Sequence, residues 1–380
     1  MKGENISIGI MGCGWITEYA HIPTILQNGE ATLLSVYDVD SNRASSISEK
    51  FHISKWFDRL EDFLNSGINS VIIATPNYTH GDYTLSAIEH GLHVLCEKPV
   101  AISMEEMLKI RKAIKKQDIV YVPGFVNRWR LDIQKLKKII DEKAIGTILR
   151  INAGWLRKCG IPRPGTWFTD KRYSGGGVLQ DLGSHILDIC LMLLGNRKLI
   201  DCTMLISYEN EEVIKESGAK WFLSDTDTNC FVDVENTAII SGEFAGNVQL
   251  EVKISWLAPI IGDCTYFEII GDKGKIKLKT LFGFSNDRLW PEDSLILEQN
   301  GDITQIPLKK DENNGSYAFK ELHHYFVKAI EEHDNKFASY YDGEKVVSFI
   351  ETLYQKGIYD DSKVNKVLRE SLNDASMDRN

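Results

Sequence analysis

Over the first 120 or so residues, short unbroken apolar runs alternate with stretches whose apolar positions recur every three or four residues. Residues 6–11, 32–37, 70–74, 92–96 and 118–122 read as strands buried on both faces, being continuously apolar and rich in β-branched side chains. Between them lie helical patterns. One opens at Thr75-Pro76-Asn77-Tyr78-Thr79-His80, runs to about His90 and is closed by Gly91; another starts near Ser103, which forms a capping-box pattern with Glu106. Strands alternating with helices imply a mostly parallel sheet wound on both faces, with a ligand crevice at the carboxyl ends of its strands. Pro123-Gly124 marks the expected crossover, giving a first domain of residues 1–124 and a second of 125–380.

Beyond the crossover the pattern changes. A charged amphipathic helix over about 131–143 leads into strands at 147–153, 199–208, 230–244, 247–256, 265–270 and 275–279. Apolar and polar residues alternate on either side of Ala245-Gly246, the signature of a hairpin. Residues 317–332 and 343–354 read as closing helices. The polar stretch 209–228 has no assigned role, and the charged tail from about Asp361 is expected to fray.

Four places carry candidate chemistry. The first strand runs into Gly12-Cys13-Gly14-Trp15-Ile16-Thr17 and a helix, and glycines at such a turn let the backbone approach a pyrophosphate. The second strand ends at Asp38, about 24 residues beyond Gly14, where an acid would bind an adenosine ribose and repel a 2′-phosphate; Arg43 tempers that preference. The alternative for Asp38 is a cap on the helix from about Asn42. Lys98, in Glu97-Lys98-Pro99, sits on a short connector at a strand end, since Pro99 keeps it out of helical geometry. Its ammonium would bind a substrate hydroxyl or alkoxide, or simply meet solvent. Lastly, Ser174-Gly175-Gly176-Gly177 opens an apolar helix to about Leu194, with Asp181 and His185 four residues apart on one face and Asp188 a turn further on. A carboxylate beside an imidazole fixes its tautomer and raises its basicity.

Composition narrows the classes. Of 380 residues 43% are hydrophobic and 26% charged, an ordinary globular balance with ample core. A net charge of -10 argues against a general nucleic-acid or membrane-surface role. Seven cysteines at irregular spacing, without CxxC pairs, read as reduced thiols. With a polar amino end and no apolar run reaching the ~18 residues that span a bilayer, the expected location is the cytoplasm. His323-His324 and His80 invite a metal reading, but the first pair lies on a helix without acids at ligand spacing, so no metal site is expected.

Taken together, Gly12-Cys13-Gly14-Trp15-Ile16, Asp38, Ala74-Thr75-Pro76-Asn77 with His80, Glu97-Lys98-Pro99 and residues 175–188 resemble the glucose–fructose oxidoreductase, inositol dehydrogenase and rhizopine-catabolism (Gfo/Idh/MocA) family. Weaker matches continue through Val232-Asp233-Val234-Glu235-Asn236-Thr237, Ser255-Trp256 and Ile270-Gly271-Asp272-Lys273-Gly274, so the resemblance spans nearly the whole chain. Thr17 departs from the family's third glycine. The resemblance implies an α/β architecture: an N-terminal Rossmann domain, then a C-terminal α+β domain whose open, mainly antiparallel sheet covers the nicotinamide on one face and makes a homo-oligomer, a dimer or tetramer, on the other. It implies Lys98, Asp181 and His185 as catalytic residues. For the cofactor, NAD with NADP as the alternative, it implies Gly12, Gly14, Trp15, Ile16, Asp38, Arg43, Thr75, Pro76, Asn77, His80, Glu97 and Lys98.

The expected reaction is reversible hydride transfer between NAD(H) and a secondary carbinol of a sugar, sugar derivative or cyclitol. His185 serves as base, Lys98 stabilises the oxygen and Asp181 orients the pair. Arg128, Arg157 and Trp167, with Trp155, Lys158, Arg163, Phe168, Lys171, Arg172 and Tyr173, form an aromatic and basic cluster that hints at an anionic sugar; pairing with surface acids is the alternative. A rival class is a non-enzymatic sensor of dinucleotide and sugar, which in this family tends to lose the lysine or histidine. A third reading keeps the enzyme and changes the substrate to an imine or non-sugar aldehyde.

Overall fold

The computed structural model describes residues 5–160, 162, 164–208, 232–309, 313–333 and 338–368. The chain forms two compact units, Met1–Trp129 with Ser316–Ser348, and Arg130–Gly315 with Phe349–Asn380. The boundary thus falls a few residues later than Pro123-Gly124 suggests, and residues 316–348 return to the first unit. The reason is the helix Gly315–Glu332, whose Ala318, Phe319, Leu322 and Phe326 join the core that covers one face of the first sheet.

In the first unit, β1 (Ser7–Met11), β2 (Thr32–Tyr37), β3 (Lys55–Phe57), β4 (Ser70–Ile73), β5 (His93–Glu97) and β6 (Tyr121–Gly124) form one sheet in the order β3-β2-β1-β4-β5-β6. Every pairing is parallel, and the order reverses between β1 and β4, which makes the crevice there a ligand site. Pro123 and Gly124 lie within β6, paired with Cys96 and Glu97, instead of turning away from the sheet. Proline is tolerated because β6 is an edge strand.

The second unit holds β7 (Ile148–Leu156), β8 (Leu199–Ser207), β9 (Thr237–Phe244), β10 (Val248–Ser255), β11 (Cys264–Gly271), β12 (Gly274–Thr280), β13 (Ser294–Gln299), β14 (Asp302–Ile306) and β15 (Gly357–Tyr359). Their order is β14-β13-β12-β11-β7-β10-β9-β8-β15, antiparallel except at β7–β10 and β8–β15. The expected hairpin joins β9 to β10, with Gly246 and Asn247 at positive φ. β13, β14 and β15 were not anticipated: β14 is largely exposed and β15 is three residues long, so neither has an apolar pattern to read.

The expected helix after Gly177 opens with a π-helical turn, Leu179–Gly183, and continues as an α-helix, Ser184–Leu194, packed on β7 and β10. The stretch Lys171–Leu194 is long and apolar enough to cross a membrane by length and composition, contrary to the reading above. However, 83% of its apolar window is buried, as befits a core helix. Residues 361–368 are helical instead of frayed, because Val364 and Leu368 are buried beside Leu156, Ile239 and Ile260. The polar stretch 209–228 lies outside the described residues.

Candidate active site

The turn after β1 is shaped by Gly12. Its φ is 91°, its amide donates to the Tyr37 carbonyl at 2.7 Å, and a Cβ there would stand 2.5 Å from the Ala74 carbonyl oxygen. Only glycine meets both demands. Thr17, in place of the third glycine, is buried and donates its hydroxyl to the Gly12 carbonyl at 2.6 Å, tying the loop to the first turn of the helix. That turn, Thr17–His21, is also π-helical. Around Gly14 there is nothing within 4 Å of a Cβ position, so the loop is open where a phosphate would approach. Trp15 and Ile16 are half-buried, Trp15 stacking on Tyr19 at 5.2 Å.

Asp38, buried at the end of β2, accepts from the Cys13 amide (2.9 Å) and the Asp40 amide (3.0 Å), with Arg43 at 3.6 Å. Asp40, not Asp38, caps the helix Ser41–Phe51, accepting from the Asn42 and Arg43 amides, which removes the capping alternative. Each Asp38 oxygen keeps a lone pair for a ribose hydroxyl. Burial, reinforced by Asp38, pushes the Cys13 thiol up to about 12, so it stays protonated. These features fit an NAD adenosine and pyrophosphate.

At the ends of β4 and β5, His80 is buried with Nδ1 2.6 Å from the Pro99 carbonyl oxygen and Nε2 2.8 Å from that of Thr75. Burial holds the imidazole below its ordinary value, and both partners only accept, so the neutral ring donates to one of them at a time. His80 therefore braces the Thr75-Pro76-Asn77 turn against the connector that carries Lys98. Asn77 is buried at the start of that turn. Glu97 is buried; one oxygen lies 3.1 Å from His21 Nε2 and the other accepts the Lys98 amide at 3.2 Å. Lys98 itself is half-buried, and its peptide bond to Pro99 is cis. Arg128 is 1% exposed, with its guanidinium 3.6 Å from Asp342 and over the Phe125 ring. An acid of the same unit, Asp342, thus faces this guanidinium.

In the second unit, the start of the helix that bears Asp181 and His185 is held by a residue the sequence did not single out. Glu235 is buried and accepts from the Gly177 amide (3.1 Å), the Leu179 amide (3.0 Å) and the Tyr354 hydroxyl (2.9 Å). The backbone is so close that a Cβ on Gly177 would stand 2.0 Å from the Glu235 carbonyl oxygen. Gly177 therefore serves packing against Glu235. Burial raises the Glu235 carboxyl above its ordinary value despite these donors.

Asp181 is half-buried and accepts from Trp256 Nε1 at 3.0 Å. His185 is buried, its ring 5.9 Å from that of Trp155, and Asp188 is buried one turn on. Glu235 and Trp256 lie in the weaker motif matches, a signal that was available, whereas Tyr354 and His21 had none.

Within the unit, three cations of the basic cluster meet acids. Arg157 lies 3.8 Å from Asp263, Lys158 lies 3.7 Å from Asp287, Arg172 is bound to Asp170, and Lys171 lies over the Tyr354 ring. Trp167 stacks on Phe168 at 3.8 Å. Arg163 lies outside the described residues. Among the described residues no group of His, Cys, Asp and Glu could hold a metal ion; His324 pairs with Glu30.

A parallel sheet of this order, with an open glycine turn at β1 and a buried acid ending β2, defines a dinucleotide-binding protein of the Rossmann type. Residues 6–125 match the model of an oxidoreductase family with an NAD-binding Rossmann fold, and residues 133–277 match the GFO/IDH/MocA C-terminal domain. The chain belongs to the Gfo/Idh/MocA oxidoreductase family. It is 32% identical to the D-glucoside 3-dehydrogenase of Escherichia coli (strain K12) over 196 residues, 51% of this chain and 56% of that protein. It is 28% identical to the scyllo-inositol 2-dehydrogenase (NAD(+)) of Bacillus subtilis (strain 168) over 279 residues, 73% and 75% of the two chains. Levoglucosan dehydrogenase in complex with NADH and levoglucosan shares the fold, with a TM-score of 0.77 and 22% identity over 93% of this chain and 97% of that one.

Proposed function

We propose that the chain is an NAD-dependent dehydrogenase that oxidises a secondary hydroxyl of an uncharged sugar, glycoside or cyclitol, and reduces the corresponding ketone in reverse. The presence of Lys98, Asp181 and His185 in a chain whose two halves both match the family carries this reading. Relatives named for glucoside and inositol oxidation support the substrate class. Bound NAD supplies the hydride acceptor. His185 takes the hydroxyl proton, a contribution of about 10²–10⁴ in rate; Lys98 stabilises charge developing on that oxygen. Asp181, oriented by Trp256, holds a neighbouring hydroxyl. A sensor without activity is disfavoured because the lysine and histidine are both retained. The acids paired with Arg157, Lys158 and Arg172 favour a neutral substrate over an anionic one.

A preference for NAD over NADP is supported by the buried acid Asp38 at the end of β2, where it would meet a ribose, and by Arg43, engaged by Asp38 and Asp40. We place the enzyme in the cytoplasm, consistent with free thiols at all six described cysteines, and as a homo-oligomer formed through the second unit's sheet, which light scattering would test. The decisive assay follows reduced-nicotinamide absorbance across inositols, hexoses, glycosides and sugar phosphates with either cofactor. Activity confined to sugar phosphates would overturn the neutral-substrate reading. Full turnover in His185→Ala, with its substrate in hand, would remove His185 as base.

A further inference from the structure

One buried array remains unused by this mechanism. His21 is 0% exposed, with Nε2 3.1 Å from Glu97 Oε1 and Nδ1 2.9 Å from His323 Nε2. The two imidazoles are nearly coplanar in orientation, 11° apart, and the His21 ring meets the edge of Phe319. Leu322 and Phe326 bury the helix face that carries His323. His323 Nδ1 is buried with no hydrogen-bond partner among the described residues.

Three proton arrangements are open to this chain of groups. If Glu97 is ionised it only accepts, so His21 donates from Nε2; neutral His21 then accepts at Nδ1 from His323 Nε2–H. That leaves a bare lone pair at His323 Nδ1. The reverse polarity needs a protonated Glu97 and leaves a buried N–H at His323 Nδ1. A cationic His21 leaves that same orphan N–H, because His323 must then accept at Nε2. Orphaned buried donors are the rarer and costlier defect. Burial, with His21 alongside, also pushes His323 far below the ordinary histidine value. The first arrangement wins.

We propose that His323 and His21 are positioning residues for Lys98, two neutral Nε2–H imidazoles in series that lock the Glu97 carboxylate as the acceptor of the Lys98 amide. The array is polarised in one direction, from His323 to His21 to Glu97. The other oxygen of Glu97 receives the Lys98 amide, so the connector's path is set from the helix Gly315–Glu332, 226 residues away along the chain by the numbering of Glu97 and His323. The consequence for turnover rests on the proposed role of Lys98; the tautomers do not.

Other titratable groups near the array are few. His80 feels both Glu97 and Lys98; Glu18, on the His21 helix, is engaged by Lys50, and His324 by Glu30.

The test is ¹⁵N-histidine NMR of the full chain, with His323→Gln assigning the resonances. The expected result is the Nε2–H tautomer at both His21 and His323, as the hydrogen-bond directions require. An Nδ1–H tautomer or a cationic ring at either position would overturn the proposal. In steady-state assays His323→Phe, which keeps the ring volume but cannot donate, is expected to lower kcat by about 2–10-fold with KM for NAD unchanged. His323→Gln, whose amide donates to His21 Nδ1, should restore it. Equal kcat in the Phe variant and the wild type would also overturn the proposal. Failure of the Lys98 reading shows separately, as full turnover in Lys98→Ala whatever the ring tautomers.

Discussion

Replacing Glu235 by alanine tests how the helix bearing Asp181 and His185 is held. The substitution deprives three donors of their acceptor: the Gly177 amide, the Leu179 amide and the Tyr354 hydroxyl. All three lie in a buried environment, and each orphaned donor costs about 1–3 kcal/mol. Tyr354 can turn and Gly177 can draw in water, so the sum is discounted to ~3–5 kcal/mol. Loss of the carboxylate also removes a favourable partner of the helix amino end. The expected effect is local opening of residues 177–185 at a free energy lower by that amount. Hydrogen exchange reads this directly, because each ~1.36 kcal/mol is tenfold in the opening constant; peptides covering 177–185 should exchange about 10²–10⁴ times faster. Peptides of the first unit serve as an internal control. Protection within threefold of wild type would refute the view that Glu235 anchors this helix.

Further outcomes follow from other contacts. Because burial raises the Glu235 carboxyl, the folded chain binds that proton more tightly than the unfolded chain, so this group's contribution to stability is present below the unfolded value of about 4.3 and is lost as pH rises through the higher folded one. Glu235→Gln should flatten that part of a urea-stability profile measured across mildly acidic pH; an unchanged slope counts against the burial argument. Gly12→Ala adds a Cβ 2.5 Å from a carbonyl oxygen at a φ of 91°, and calorimetry should show NAD binding weakened at least tenfold in a protein whose circular dichroism remains native. Trp256→Phe removes the donor to Asp181; a hydrogen bond to a charged group is worth ~1.5–3 kcal/mol, so kcat should fall about 10–100-fold, and an unchanged kcat would mean that this contact does not orient the carboxylate. Asp38→Ser should shift the ratio of kcat/KM values towards NADP, read in the same absorbance assay.

Much of the first unit was legible because each buried strand is a short apolar run and each turn at a strand end carries a residue type with one physical use. Gly12 needs positive φ, Asp38 ends β2, and Ser103 caps a helix. What escaped was pairing at a distance. No local pattern joins Glu235 to Gly177, 58 residues apart, or to Tyr354, 119 residues on. The same holds for His21 and His323, separated by 302 residues. The acids that meet the basic cluster escaped for a related reason: its charges are visible one by one, while Asp263 and Asp287 lie about a hundred residues away. Pro123-Gly124 read as a crossover because proline breaks most strands, and the edge position that excuses it is a property of the finished sheet.

The wide helical turns show why such distant polar contacts matter. Both helices that follow a chemistry-bearing glycine turn begin π-helically, at Thr17–His21 and Leu179–Gly183. Such turns are rare and gather at functional sites, and irregular backbone persists only where its surroundings over-determine it. In the first unit, Thr17 is tied to the Gly12 carbonyl at one end of the turn and His21 to Glu97 at the other. In the second, Glu235 holds the amides of Gly177 and Leu179, while Trp256 holds the Asp181 side chain inside the turn. In a straight α-helix residues four apart are offset by about 40° around the axis. A wider turn advances each residue by a smaller angle, which brings Asp181 closer to the line of His185 along the helix. These polar contacts therefore hold the turn that sets the angle between positions 181 and 185, and their loss should relax that turn before it costs the fold.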